Sequence, residues 1–363
     1  MGYIITIIFI IVSLLCFLEH RVSNEHKSIL YWGLAFILIL IAGFREVGID
    51  PDSYNYEYAY LHYDNPRLED AMEPSFFAIA AFFNMFTKNV HAIFLFYAAI
   101  GLILKFIAFK KFSELWCPPV VMYLSFIYEL HECVQIRTAI MSGLFMIAIL
   151  YIAESQRVKA TILILIGTVF HMSALILLPL VFLSNKKMSK KELCIWISLI
   201  PIGYVLYALG SNLLVNIPIP YIENKLANYQ ENADVIDVGV NVFSPLQLFT
   251  TLLFLYLLYF QDTICTYNKY YPLMMKIFAL SLFSYVAFAF LPVFSQRVSY
   301  LLRIVTIILF CNIYYTIRPK WVGMAVVILI AFIYLNYNLP YIGYHLLWGC
   351  LLYTSPSPRD RTR

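Results

Sequence analysis

Residues 160–183 read ATILILIGTVFHMSALILLPLVFL, an apolar stretch of about two dozen positions interrupted at His171. It is long enough to cross a bilayer, which takes about 20 residues, but its flanks argue against a simple crossing. Arg157 and Lys159 lie just before the apolar run, and Lys186, Lys187, Lys190 and Lys191 lie just after it. Short loops rich in Lys and Arg stay on the cytoplasmic side, so both ends belong to one face. The stretch therefore goes partly into the membrane and returns as two short helices bent near His171. Backbone that breaks at membrane depth is tolerated only where protein or a water-filled cavity covers it, so the break also points to a cavity.

The rest of the chain reads as membrane too. It has 363 residues, 62% hydrophobic and 13% charged, with mean hydropathy +0.78, against about 45–50% apolar and about 25% charged in globular proteins. We expect an all-α polytopic integral membrane protein of about 11–13 hydrophobic segments with re-entrant or broken helices. The spans are expected at 3–18, 29–43, 90–109, 118–128 with a polar extension, 136–153, 193–209, 245–260, 272–291, 298–317, 321–335 and 341–352. A further run, 76–86, is too short to cross. If it lies in the interface or re-enters, and the N-terminus is outside, then Arg21, Lys27, Lys110, Lys111, Arg318 and Lys320 join the cytoplasmic set. Two polar loops, about 44–73 and 210–244, then lie outside above an outward-facing cavity.

Residues 1–353 are thus expected to form one membrane domain. The tail 354–363, TSPSPRDRTR, differs in composition, resembles translated adaptor read-through and is set aside. The first apolar run lacks a basic leader and reads as an uncleaved span. A net charge of +4, spread along the chain, offers no nucleic-acid surface. The seven cysteines form no CxxC pair and read as small apolar packing residues.

Charged residues gather at a few membrane boundaries, where they are costly and therefore informative. Phe44-Arg45-Glu46-Val47-Gly48-Ile49-Asp50-Pro51-Asp52-Ser53-Tyr54 follows the second span directly. Arg45 can fork onto phosphate or carboxylate, and Asp50 or Asp52 can accept a proton from a hydroxyl. The alternative is an Arg–Asp pair that closes a loop at Pro51. Glu129-Leu130-His131-Glu132-Cys133-Val134-Gln135-Ile136-Arg137 sits between two apolar segments, with His131 and Gln135 expected on one helix face. The spacing of Glu129, His131 and Glu132 matches no strong metal motif, and no metal or cofactor is expected. Arg137, opening a helix, reads as a phosphate ligand or a snorkelling cation.

In Phe170-His171-Met172-Ser173-Ala174, a neutral His171 can orient or deprotonate a hydroxyl, against the reading of a packed histidine. In Ser295-Gln296-Arg297, Arg297 is expected to begin a helix that carries Arg303 in its interior; either arginine binds a ligand or pairs with another helix. Glu73-Pro74 opens a short helix, where the acid either caps it or serves a site. Residues 337–341 read as an outer aromatic loop.

Taken in order, these residues resemble the EpsG family of Wzy-like polysaccharide polymerases. The resemblance is carried by Arg45, Val47-Gly48, Asp50 and Tyr54, then Glu73-Pro74, Gln135 and Arg137, the His171-x-Ser173-Ala174 element and Arg297, across roughly residues 1–350. It implies a glycosyltransferase of a bacterial inner membrane, in O-antigen, capsule or exopolysaccharide synthesis. Such an enzyme joins polyprenyl-pyrophosphate-linked oligosaccharide repeat units at the outer face. Under that reading Arg45, Arg137 and Arg297 bind the pyrophosphate, and Arg303 and Gln135 belong to the substrate-binding set. His171, Asp50 or Asp52 serves as base, and Tyr54 and Glu73 hold sugar. The implied partners are the lipid-linked oligosaccharide, membrane lipid, and a chain-length regulator and flippase of the same pathway. Two rivals stand beside it: a lipid-linked oligosaccharide flippase, disfavoured by the lack of an internal repeat, and an O-antigen ligase-like transferase or membrane acyltransferase.

Overall fold

The computed structural model describes residues 2–65, 72–209 and 240–341. The expected segment 341–352, most of the second polar loop and the tail fall outside them. The described residues are helical, and six helices are long and apolar enough to cross a membrane, or up to eight if each of two bent pairs is one span. The chain divides into two compact units, residues 1–140 with 318–363 and residues 141–317.

Unit 1 holds α1 (Gly2–Leu18), α2 (Asn24–Gly43), α3 (Ser53–Leu61), α4 (Pro74–Asn84), α5 (His91–Phe112), α6 (Cys117–Phe126), a π-helix (Glu129–Val134), the first turn of α7 (Ile136–Ala153) and, from the C-terminal part, α16 (Lys320–Tyr341). Its core is α2 against α5, with α6 held between α1 and α16. Tyrosine hydroxyls inside this apolar bundle must find acceptors, and they take backbone carbonyls: Tyr31 donates to Phe106 O at 2.6 Å and Tyr128 to Leu38 O at 2.7 Å. One end of the unit is closed by Glu19, whose buried carboxylate accepts from Trp116 N at 2.8 Å at the start of α6. A helix N-terminus carries such unpaired amides and favours negative charge. At the other end, His91 Nδ1 lies 2.9 Å from Gly43 O, and α3 packs on α4. α4 has 11 residues, about 16 Å of helix, too short for the roughly 30 Å hydrocarbon core, in line with the expectation for 76–86.

Unit 2 continues α7 and adds α8 (Arg157–Phe170), a 3₁₀-helix (Met172–Phe182), α9 (Lys190–Leu209), α10 (Pro245–Tyr259), α11 (Gln261–Tyr267), α12 (Tyr271–Ala287), α13 (Pro292–Arg303), α14 (Thr306–Cys311) and α15 (Ile313–Thr316). α12 is buried almost all round and carries α9, α10 and α13 on its surface. Prolines stand in the first turn of α10, α12 and α13, where the missing N–H costs nothing. The stretch 160–183 folds as its flanks require. α8 ends at His171, which takes extended dihedrals, and the 3₁₀-helix turns back along it so that the Arg157 guanidinium lies 5.8 Å from the Phe182 ring. The lysine-rich loops share that end: Lys276 Nζ donates to Ser184 O at 2.6 Å, and Lys187 pairs with Asp262 at 2.6 Å.

Four sequence expectations need correction. The run 118–128 is a helix of only 10 residues that gives way to the π-helix. His131 and Gln135 do not share an α-helical face, because Gln135 N reaches back five residues to Leu130 O at 2.7 Å and Gln135 leaves helical dihedrals at ψ 62°. The run 298–317 is not one helix. Pro292 starts it earlier, and it breaks by 48° after Arg303, so Arg297 sits mid-helix and Arg303 at its end. The aromatic loop at 337–341 is instead the last turn of α16, where Asn338 donates to Ser125 O at 3.0 Å. A second break, of 76°, divides α10 from α11 and was not foreseen.

Candidate functional site

Unit 1 gathers four of the singled-out residues, drawn from three separate stretches, around one aromatic wall. Arg45 follows the end of α2 and folds back. Its Nε donates to Asp50 Oδ2 at 3.0 Å, its Nη1 donates to Ala42 O at 2.7 Å, and its guanidinium lies 3.7 Å from the centre of the Phe94 ring. Both side chains of this ion pair are fully buried. Asp50 is fully committed: its second oxygen accepts from Asp52 N at 3.1 Å and Ser53 N at 2.9 Å, which starts α3. The turn between them needs Gly48, whose φ is +92° and over which the Tyr54 ring lies so closely that a Cβ would collide with it. Tyr54 is thereby spent on the turn, with 63% of its surface exposed.

Phe94 leads to Tyr56, ring centres 6.5 Å apart, and Tyr56 to Phe76 at 5.8 Å. Behind Tyr56 lies the second ion pair, Arg137 with Glu73. Glu73 stands at the N-cap of α4 but does not cap it; its carboxylate turns to Arg137 instead. The Tyr56 hydroxyl accepts a hydrogen bond from the same guanidinium. Burial pushes that hydroxyl above its ordinary pKa, with Arg137 pulling it back in part, so Tyr56 is neutral at physiological pH. The rings and the Tyr56 hydroxyl are buried, and the Arg137–Glu73 pair is the partly exposed part of this group, a guanidinium and a carboxylate that can meet hydroxyls.

Beneath it, the π-helix is anchored by a fully buried cluster. Glu132 binds both Lys105 of α5 and the Tyr123 hydroxyl of α6, and Lys105 donates in addition to Ala139 O at 2.9 Å. Gly101 makes this approach possible, since a Cβ there would sit 2.9 Å from Glu132 Oε2 and 3.0 Å from Ala139 Cβ. Wide turns of this kind recur beside functional sites, and this one ends where Gln135 and Arg137 begin. Sequence reading missed Lys105, a lone lysine inside an apolar run, and Tyr56, two residues beyond the tyrosine that was named. The lysine was the available signal, because an intramembrane charge demands a partner.

Unit 2 holds the other candidates. His171 stands at the turn of the hairpin, its Nε2 3.3 Å from Ser173 Oγ. α8 has 14 residues, so the turn is about 21 Å from the lysine-rich end. Arg297 is exposed on α13. Arg303 is 4% exposed. Its Nη2 donates to Gln247 Oε1 at 3.1 Å, and it lies 5.2 Å from the Tyr285 ring and 5.7 Å from the Tyr300 ring.

No curated protein and no solved structure matches the chain. A protein-family profile does, over residues 28–355, a span that includes every motif described above. This multi-pass membrane protein therefore belongs to the EpsG family, which is implicated in exopolysaccharide biosynthesis.

Proposed function

We propose that this protein is a Wzy-type polymerase. In this reading it transfers a growing glycan from polyprenyl pyrophosphate to a lipid-linked repeat unit at the outer face of a bacterial inner membrane. The observation that carries the reading is the meeting of Arg45, Asp50, Glu73 and Arg137 around Tyr56 and Phe94. These are motif residues of the family resemblance, and the partly exposed Arg137–Glu73 pair, backed by the buried rings and the buried Arg45–Asp50 turn, offers a guanidinium and a carboxylate to sugar hydroxyls.

The reaction forms a bond between an acceptor hydroxyl oxygen and the anomeric carbon of the donor glycan. The bond from that carbon to the pyrophosphate oxygen breaks, and the lipid pyrophosphate leaves with the electron pair. The hydroxyl proton passes to a base. Both Asp50 oxygens are engaged by Arg45 and backbone amides, which leaves His171 or Asp52 as the candidate base. Glu73, Arg137 and Tyr56 hold sugar hydroxyls. Arg297 meets negative charge that grows on the leaving group, where fixed positive charge is most effective. Gln135 flanks the Arg137–Glu73 pair in sequence and binds substrate from the end of the π-helix.

The test is the length distribution of surface polysaccharide, resolved on a gel, in cells lacking the gene. Single repeat units on the surface with the ladder gone are expected. Repeat units trapped on lipid at the inner leaflet would identify a flippase, and long polymer left on its carrier would identify a ligase; either result overturns the polymerase reading.

A further inference from the structure

Lys105 stands outside the group around Tyr56, yet it is wholly buried in the middle of α5. An ionisable side chain inside a membrane bundle is costly and points to function by default. Its partners are distinctive in their placement. The ammonium pairs with Glu132, which also accepts from the Tyr123 hydroxyl, and it donates to Ala139 O at 2.9 Å. Glu132 belongs to the π-helix and Ala139 to the first turn of α7. One cation is thus bonded on both sides of Gln135, where the π-helix ends. Stability alone is a poor account of this cluster, because replacing a buried ion pair by apolar groups of similar volume is often neutral or stabilising.

The backbone ladder shows what the cluster holds. His131 N donates to Ile127 O at 2.9 Å, four residues back. Gln135 N donates to Leu130 O at 2.7 Å, five back, and Ala139 N donates to Gln135 O at 3.2 Å, four back again. The turn that ends at Gln135 therefore carries one extra residue. Each residue of an α-helix turns the next by about 100°, so that extra residue decides which way the first turn of α7 faces, Arg137 included. In this register Arg137 meets Glu73; closing the turn to ordinary spacing would swing it away. Gly101 lies on the same face of α5, four residues before Lys105, and its missing side chain leaves room for Glu132 and Ala139 together.

We propose that Lys105 is a positioning residue: with Glu132 and Tyr123 it fixes the wide turn and so sets the direction in which Arg137 is presented. That Arg137 holds sugar rests on the polymerase reading; that Lys105 sets its register does not. A lysine suits the task because its compact ammonium carries three donors on a flexible stem. Two of them reach groups on opposite sides of the turn.

The discriminating variant removes the whole cluster without stranding a charge: Lys105→Met, Tyr123→Phe and Glu132→Met together. Two readouts are taken on the full-length chain. Peptide-resolved hydrogen exchange in nanodiscs reads the backbone across 129–139, and the length of surface polysaccharide, per molecule of inserted protein, reads the site. A melting temperature equal to or above that of the natural chain is expected, with exchange across 129–139 at least tenfold faster and long polymer at least tenfold reduced. Natural exchange and natural polymer length in the triple variant would overturn the proposal. So would a lower melting temperature with polymer per inserted molecule unchanged, which would mark a purely structural ion pair. If the triple variant does not insert, Glu132→Asp takes its place. It keeps both charges and draws the turn toward Lys105 by one methylene, so the same loss of polymer is expected, and full polymer length would overturn the proposal. The two readings fail separately. An intact ladder in cells lacking the gene would sink the polymerase, and the exchange measurement would still decide the role of Lys105. Unchanged exchange in the triple variant would sink that role and leave the polymerase.

Discussion

The two units treat buried arginine in opposite ways. In unit 1, Arg45 and Arg137 each face a carboxylate and an aromatic ring, and the loop and short helix around them take their shape from those contacts. In unit 2, Arg303 is as deeply buried as Arg45 but, among the described residues, is met by an amide and two phenol rings. A neutralised arginine organises a surface and carries little net charge outward. An unneutralised one costs stability and keeps its field for something else. Four arginines that look alike in the sequence thus separate into scaffold and charge.

The sharpest way to break this comparison is to remove one partner from each unit. Asp50→Ala strands Arg45 in a fully buried site, and losing one member of a buried pair costs about 3–5 kcal/mol. Thermal unfolding in detergent should show a large drop, and the double change Arg45→Met with Asp50→Ala should recover much of it. Arg303→Met should do the reverse, leaving the melting temperature unchanged or higher. Equal losses at the two sites would show that Arg303 is compensated after all.

Next in size is activity. Arg137→Ala removes the guanidinium that joins Glu73 to Tyr56. Long polymer should fall by about 10–10²-fold, the cost of losing a hydrogen bond from a charged group, about 1.5–3 kcal/mol, with membrane insertion intact. Normal chain length in a stably inserted variant would remove Arg137 from the site.

How much of this was readable in advance follows from the range of each interaction. The helix Ile136–Ala153 and the hairpin at His171 follow from local apolarity and flanking charge, and the fold keeps both. The pairing of Arg45 with Asp50 is also local, five residues apart, and the loop-closing reading anticipated it. The pairing of Arg137 with Glu73 spans 64 positions, and that of Lys105 with Glu132 spans 27; no spacing rule connects such residues. The π-helix was hidden for the same reason, because Glu132 meets Lys105 and Tyr123 only once α5 and α6 are packed. The breaks after Arg303 and after Tyr259 fall in runs whose hydropathy reads as continuous.

A smaller effect tests the turn that presents the unit 1 pair. Gly48→Ala places a methyl group at φ +92° and against the Tyr54 ring. Strain of this kind is worth about 1–3 kcal/mol, so the melting temperature should fall by less than in Asp50→Ala. Adding Tyr54→Ala should relieve the steric part and leave the dihedral part.

The smallest expected change separates positioning from chemistry at Tyr56. Tyr56→Phe keeps the ring between Phe94 and Phe76 and removes only the hydroxyl that accepts from Arg137. One such hydrogen bond contributes about 0.5–1.5 kcal/mol, so a small drop in stability and a modest shortening of the polymer are expected. The ring would still back the Arg137–Glu73 pair, which on the proposed function would keep its hold on the sugar. If instead the ladder vanished as completely as in Arg137→Ala while stability held, the phenol itself would be contacting the reacting sugar. Unit 1 would then contribute to the chemistry directly, and the division between an organising unit and a charge-bearing unit would have to be redrawn around Tyr56.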